Sequence, residues 1–153
     1  MRIAVLAAPQ SWYFQDLQRA AGADVQLKAT SYGDLSSRVE EGGVSLKSGD
    51  VALNGYDALL VRSMPPGSLE QVVFRMDALG RLESNGVVVV NSPRAIETAV
   101  DKYLATARLQ AAGLLVPETV VCQTATDALA AFEQLGGDVV VKPLFGGEGR
   151  GIT

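Results

Sequence analysis

Apolar positions along this chain fall into two patterns, short unbroken runs and longer stretches at helical spacing, and the two alternate. "RIAVLA" (Arg2 to Ala7) is an unbroken run, the mark of a strand buried on both faces. Ser11 to Ala21 follows as a helix with Gly22 as its terminator, and "ADVQLKA" alternates as a strand does. In "GGVSLKSGDVALNG" the turn signals "SGD" and "NG" predict a small hairpin. "DALLVRS" (Asp57 to Ser63) reads as another buried strand. Past the stop "MPPG", Leu69, Val72, Val73, Met76, Leu79 and Leu82 mark one face of a helix over Ser68 to Ser84. Asn85-Gly86 ends it and "VVVVN" returns to an apolar strand. Strands apolar on both faces, alternating with helices, predict an α/β fold with a parallel sheet covered by helices. This first lobe is expected to span 1–92.

A second part, 93–153, opens at Ser92-Pro93, a helix entry with proline at the first position. Thr98 and Asp101 stand at the spacing of an N-terminal cap, so a short turn is expected to lead into a longer helix. Val100, Tyr103, Leu104, Ala107 and Ala111 form its apolar stripe, and Gly113 stops it. "VPETVVC" is expected as a strand, Thr126 to Leu135 as a helix ended by Gly136-Gly137, and "DVVVKPL" as the last strand.

Composition narrows the function. At 153 residues, 48% hydrophobic and 20% charged, the chain suits one domain or two small lobes with a real core. A net charge of −4 argues against a nucleic-acid binder, though a small phosphorylated ligand needs only a few local cations. There is no histidine, which removes the commonest general base and transition-metal ligand. Cys122, the single cysteine, cannot form an internal disulfide and is expected to be a small buried residue. The apolar start is too short for a signal peptide and no run approaches a membrane span. A cytoplasmic protein without membrane partners is the expectation.

The candidate chemistry sits at the C-terminal end. Lys142 ends the apolar run Val139 to Val141, and Pro143 interrupts regular pairing just after it. An edge-strand lysine in water is one reading; a cation aimed at a phosphate is the other. "FGGEGRG" follows, where Gly146, Gly147, Gly149 and Gly151 let successive N–H groups converge on an anion. The loop is not a P-loop, because its lysine precedes the glycines and no G-K-[ST] follows. Nor is a dinucleotide fingerprint present, since "AAPQSW" after the first strand has no glycine. Lys102 lies on the long helix beside Ala105 and Thr106, either solvated or a third phosphate contact. Arg62 stands at the C-terminal end of a predicted parallel strand, where open α/β sheets place ligands; it is a substrate-carboxylate candidate or an ordinary loop arginine.

Taken in order, "NSPRAI", "DKYL", "GLLVPET" and "VVVKPLFGGEGRGI" resemble the first half of an ATP-grasp ligase, most closely the RimK-like carboxylate–amine ligases of the α-L-glutamate ligase type. The resemblance covers Asn91 to Thr153, and 1–92 is similar to the family's pre-ATP-grasp lobe. It implies that Lys102, Lys142, Gly146, Gly147, Glu148, Gly149 and Gly151 contact the phosphates of ATP. It further implies acyl-phosphate activation of a carboxylate, attack by an amine, and Mg²⁺ held by residues beyond Thr153, with no metal ligands in this portion. The chain is then expected to be the N-terminal portion of a longer ligase, inactive alone, with the loop from Phe145 to Gly151 mobile without nucleotide. Expected partners are ATP and small carboxylate and amine substrates, with homo-oligomerisation left open. Two other classes stay in play: a nicotinamide-dependent oxidoreductase lobe, disfavoured by the missing fingerprint, and a non-catalytic α/β interaction module.

Overall fold

The computed structural model describes residues 1–146 and 151–153. They form two compact units, Met1–Pro93 and Arg94–Thr153.

In Met1–Pro93 the unbroken apolar runs become parallel strands. β1 (Arg2–Leu6) lies between β2 (Gln26–Thr30) and β6 (Ala58–Val61), and β7 (Val88–Val90) pairs outside β6. Ala4, Val5, Leu6 and Leu59 at the centre of this sheet are essentially inaccessible. α1 (Trp12–Ala20) links β1 to β2 and buries Phe14; α2 (Leu69–Ser84) links β6 to β7 and buries Ala78, Leu79 and Leu82. Two parallel β-α-β units side by side account for the α/β architecture expected from the alternating pattern.

Three details of this unit depart from expectation. α1 ends at Ala20 because Ala21 turns extended (φ −65°, ψ 127°), so Gly22 is not its terminator. The apolar face of α2 buries only its C-terminal half: Leu69 and Val73 are exposed, while Arg75 occupies a buried position. The expected hairpin is a three-stranded antiparallel sheet, β3 (Leu35–Glu40), β4 (Gly43–Ser48) and β5 (Val51–Ala52). "SGD" does turn β4 into β5, but Asn54-Gly55 lies in a short 3₁₀ turn instead. Asn54 caps the sheet edge there, its Oδ1 accepting from Leu46 N at 2.6 Å. Leu46 and Leu53 seal this second sheet into the core.

Arg94–Thr153 carries most of α3 (Pro93–Val100), then α4 (Lys102–Ala111) and α5 (Ala125–Gln134). Asp101, not Thr98, caps α4; the Thr98 hydroxyl instead donates back to Arg94 O within α3. Neither "VPETVVC" nor "DVVVKPL" forms a regular strand among the described residues. The physical reason is that a strand exists only through its ladder partners, and the single backbone exchange found here is between Val141 and Thr153. The α4 stripe does not close a core either: Tyr103 is exposed, and Ala131 of α5 is the buried apolar side chain of this unit among the described residues. Cys122 is half-buried, not enclosed.

Candidate functional site

Polar chemistry gathers in one place within each unit. In Arg94–Thr153 it gathers at the start of α4. The Asp101 carboxylate accepts from Leu104 N at 2.9 Å, which fixes Lys102 as the first helical residue. The N–H of such a residue has no acceptor inside the helix, and the positive end of the helix dipole lies beside it. Here that N–H donates to Leu144 O at 3.2 Å, and the Lys102 Nζ donates to Gly146 O at 2.9 Å. A helix N-terminus and its lysine therefore hold the segment that opens the glycine loop.

The two feet of that loop meet. Val141 N donates to Thr153 O at 2.7 Å and Thr153 N to Val141 O at 3.0 Å, the exchange of directly opposed residues in an antiparallel pair. Lys142 is the first residue of the excursion they close; its side chain is exposed and makes no ion pair among the described residues. Gly151 has φ +72°, a backbone conformation that strains any side chain, so this return favours glycine. The structure thus brings Lys102, Lys142, Gly146 and Gly151 into one segment. Gly147, Glu148 and Gly149, and with them the expectation of a mobile loop, lie outside the described residues. Among the described residues no group of three or more Asp, Glu, Cys or His side chains converges as a metal site. Nor is any described helix long and apolar enough to cross a membrane.

In Met1–Pro93 the polar chemistry lies at the carboxyl ends of the strands. The chain runs from β1 outward to β2, then returns past β1 to β6 and β7, so its direction reverses between β1 and β6. A cavity of about 610 Å³ opens there, walled by Leu6 at the end of β1, Ala7 just after it, Tyr13 from α1, Tyr32 after β2 and Met64 after β6. Tyr32 is only 7% exposed, and its hydroxyl has no hydrogen-bond partner among the described residues. Burial pushes its phenol up to about 12, with the Arg75 charge pulling the other way. The Arg75 guanidinium stands 5.5 Å from the Tyr32 ring centroid and donates to Pro65 O at 2.7 Å. It is buried with no carboxylate beside it among the described residues. Arg62, the predicted substrate contact, is exposed with its guanidinium 5.2 Å from the Tyr13 ring centroid.

Sequence reasoning did not single out Tyr13, Tyr32 or Arg75. For Arg75 a signal existed: it falls at helical spacing with Leu79 and Leu82, inside the stripe that becomes buried. For the tyrosines there was none, because what matters is the arginine each one meets from a distant segment.

No family model matches the chain. It is 45% identical over 119 residues to a tetrahydromethanopterin:alpha-L-glutamate ligase of Methanosarcina acetivorans, covering 78% of this chain and 36% of that protein. A glutamate–LysW ligase, ArgX, of Sulfolobus acidocaldarius is 33% identical over 102 residues, 67% of this chain and 34% of its own. The chain thus spans about a third of the length of the curated relatives it matches. Among solved structures, a RimK domain ATP-grasp protein from Sphaerobacter thermophilus superposes with a TM-score of 0.76 at 24% identity, over 99% of this chain and 52% of that one. The ATP-grasp ligase PsnB, solved with a minimal precursor, Mg and ADP, gives a TM-score of 0.63 at 25% identity, over 95% and 55%. Sequence relatives and shared fold agree on one assignment: the chain belongs to the ATP-grasp family.

Proposed function

We propose that this chain is the nucleotide-phosphate-holding part of an ATP-dependent carboxylate–amine ligase, with 1–92 as its pre-ATP-grasp lobe and 93–153 as the first part of its ATP-grasp domain. One observation carries this reading: the Lys102 Nζ, at the N-terminus of α4, donates to Gly146 O at 2.9 Å at the mouth of the glycine loop. A backbone carbonyl is a neutral acceptor, and a phosphate oxygen is a charged and stronger one. Arrival of ATP would exchange one for the other. Lys102 and Lys142 would then neutralise the phosphates, and N–H groups of Gly146, Gly147, Glu148, Gly149 and Gly151 would cradle them. In the reaction, a substrate carboxylate oxygen attacks the terminal phosphorus and ADP leaves. An amine nitrogen then attacks the acyl carbon, phosphate leaves, and the nitrogen gives up its proton.

Phosphoryl transfer asks the protein mainly for position and charge neutralisation, so the absence of histidine is no obstacle. Glutamate is the amine substrate we favour, because two relatives are named as glutamate ligases. Mg²⁺ is proposed to accompany the nucleotide, but the described residues offer no ligand set for it. Turnover is proposed for a protein of the relatives' length, working in the ATP-rich cytoplasm; for these 153 residues the proposal is nucleotide binding. The test is a calorimetric titration of ATP with Mg²⁺ into the chain and into Lys102→Ala and Lys142→Ala. Each charge removal is expected to weaken binding by about tenfold or more, with unchanged circular dichroism. Wild-type affinity in both variants would overturn the phosphate assignment.

A further inference from the structure

We propose that β3, the outer strand of the second sheet, pairs antiparallel with β3 of a second copy of this chain, about a two-fold axis at Val39. The inference is independent of the ligase reading. β3 ends the order β3-β4-β5, and no other described strand pairs with it. Its residues, Leu35–Glu40, run in unbroken register with β4 and include no proline, so neither a bulge nor a missing donor blunts this edge. The direction of its backbone groups follows from its neighbour. Val44 O accepts from the Asn54 and Asn85 side chains at 3.2 and 2.9 Å, and Leu46 N donates to Asn54 Oδ1. Val44 and Leu46 thus turn their backbone groups away from β3. Val39 and Ser37 stand opposite them in the register, at non-hydrogen-bonded positions, and turn their own N–H and C=O outward.

Charge is the remaining guard of such an edge, and here it is self-complementary. With Val39 opposite the second copy's Val39, Arg38 stands opposite the second copy's Glu40, and Glu40 opposite its Arg38. The two valines form a hydrogen-bonded pair through their outward N–H and C=O groups. The charged pairs then fall at the non-hydrogen-bonded positions on either side, where Cα atoms approach to about 4.5 Å and side chains lie closest. Within one chain the same two groups meet only loosely, Arg38 Nη1 lying 3.8 Å from Glu40 Oε2. On the other face Val39 is 80% exposed, and its cross-strand neighbour is Val44. Pairing of two copies lines up Val44, Val39, Val39 and Val44 as one apolar row across the joined sheets. Neighbouring registers are rejected by like charge. An axis at Arg38 or at Glu40 sets that residue against itself, and an axis at Ser37 sets Glu40 against Asp34. Both copies use the same edge, so association closes at two and does not grow into a fibre.

The test is sedimentation equilibrium of the whole chain from about 10 μM to 1 mM, because a contact of this size makes a weak dimer. Wild type is compared with Arg38→Glu, with Glu40→Arg, with an equimolar mixture of the two, and with the double exchange Arg38→Glu/Glu40→Arg. Wild type is expected to pass from monomer to dimer across that range. Each single reversal sets like charges against one another at both pairs and should weaken association about tenfold or more. The mixture should regain wild-type association as a heterodimer, because one chain then carries carboxylates at both positions and the other guanidiniums. The double exchange should dimerise as wild type does. Net charge does not mimic this pattern. Glu40→Arg removes one negative and adds one positive charge, taking the chain from −4 to −2; general repulsion between copies falls, yet association should be lost. Both side chains are largely exposed, so the variants should unfold at the wild-type denaturant midpoint. The inference is overturned by a wild-type chain that stays monomeric throughout the range, or by single reversals that associate as wild type does. A mixture no more associated than its components overturns it equally.

Discussion

Tyr32 buries a hydroxyl with no hydrogen-bond partner among the described residues, and Arg75 buries a charge that no described carboxylate balances. The two lean on one another: the guanidinium lies against the ring and ties Pro65 O, so the segment after β6 and the segment after β2 share one support. An unpartnered buried hydroxyl is a burden of about 1–3 kcal/mol, and its ionised form is worse. Tyr32→Phe is therefore expected to leave stability unchanged or to raise it by up to about 1 kcal/mol, measured by urea unfolding at neutral pH. The sign of the pH dependence follows. With the folded phenol pushed up to about 12 from 10.0, only the unfolded chain ionises Tyr32 as pH climbs past 10. The associated stability is whole below pH 10 and is lost as pH rises towards about 12. Tyr32→Phe should remove that part of the alkaline decline, and an unfolding midpoint with the same slope between pH 10 and 12 as wild type would show the assignment wrong.

At the scale of elements, short local devices set the helix ends. α2 starts with a complete capping box, Ser68 receiving Gln71 N while the Gln71 side chain receives Ser68 N at 3.0 Å. Ser68→Ala should cost about 1 kcal/mol, read as a lower denaturant midpoint with unchanged m-value. α2, α4 and α5 all end in the same pair of bonds. In α4, Gly113 N donates to Gln110 O at 2.9 Å and Leu114 N to Leu109 O at 3.1 Å, the signature of a Schellman turn. That turn puts Gly113 at φ +78°, with nothing within 4 Å of where a Cβ would stand. The cost of Gly113→Ala is then conformational alone, about 1–2 kcal/mol, and no repacking should accompany it. A loss of far more than that, or a changed near-ultraviolet spectrum, would mean the glycine is needed for contact and not for conformation.

At the scale of the whole molecule, apolar burial is unequal between the units. The inaccessible side chains, from Leu6 and Leu46 to Leu59, Leu79 and Leu82, all belong to Met1–Pro93. Within Arg94–Thr153, Leu115, Leu129, Val140 and Phe145 are exposed among the described residues. Stability that comes from burial should follow the same division. Native-state hydrogen exchange is expected to show the slowest amides in β1 and β6, with amides of α4 and α5 opening at lower free energy. Equal protection in α5 and β1 would show that the second unit has stabilisation the described contacts do not contain.

The alternation of strands and helices in the first lobe, the parallel character of its sheet and the stops at Gly86, Gly113 and Gly136 were legible in the sequence, whereas the expected short turn after Ser92 is a separate helix, α3. Each depends on neighbours within about four residues, or on whether a short run is apolar on both faces. The family resemblance was legible too, because its blocks are local strings such as "DKYL" and "VVVKPLFGGEGRG" in fixed order. Other features needed the folded chain. Strand pairing is a property of partners and not of a run, so "VPETVVC" and "DVVVKPL" read as strands although they lack ladders among the described residues. Leu69 and Val73 keep the apolar pattern of α2 but are exposed among the described residues. The contact of Lys102 with Gly146, across 44 residues, was an expectation of combination until the fold brought the two together. Tyr32 with Arg75, and Tyr13 with Arg62, carried no sign in their own surroundings. A periodic pattern records what a residue's own segment buries; which distant segment arrives beside it is decided only when the sheet closes.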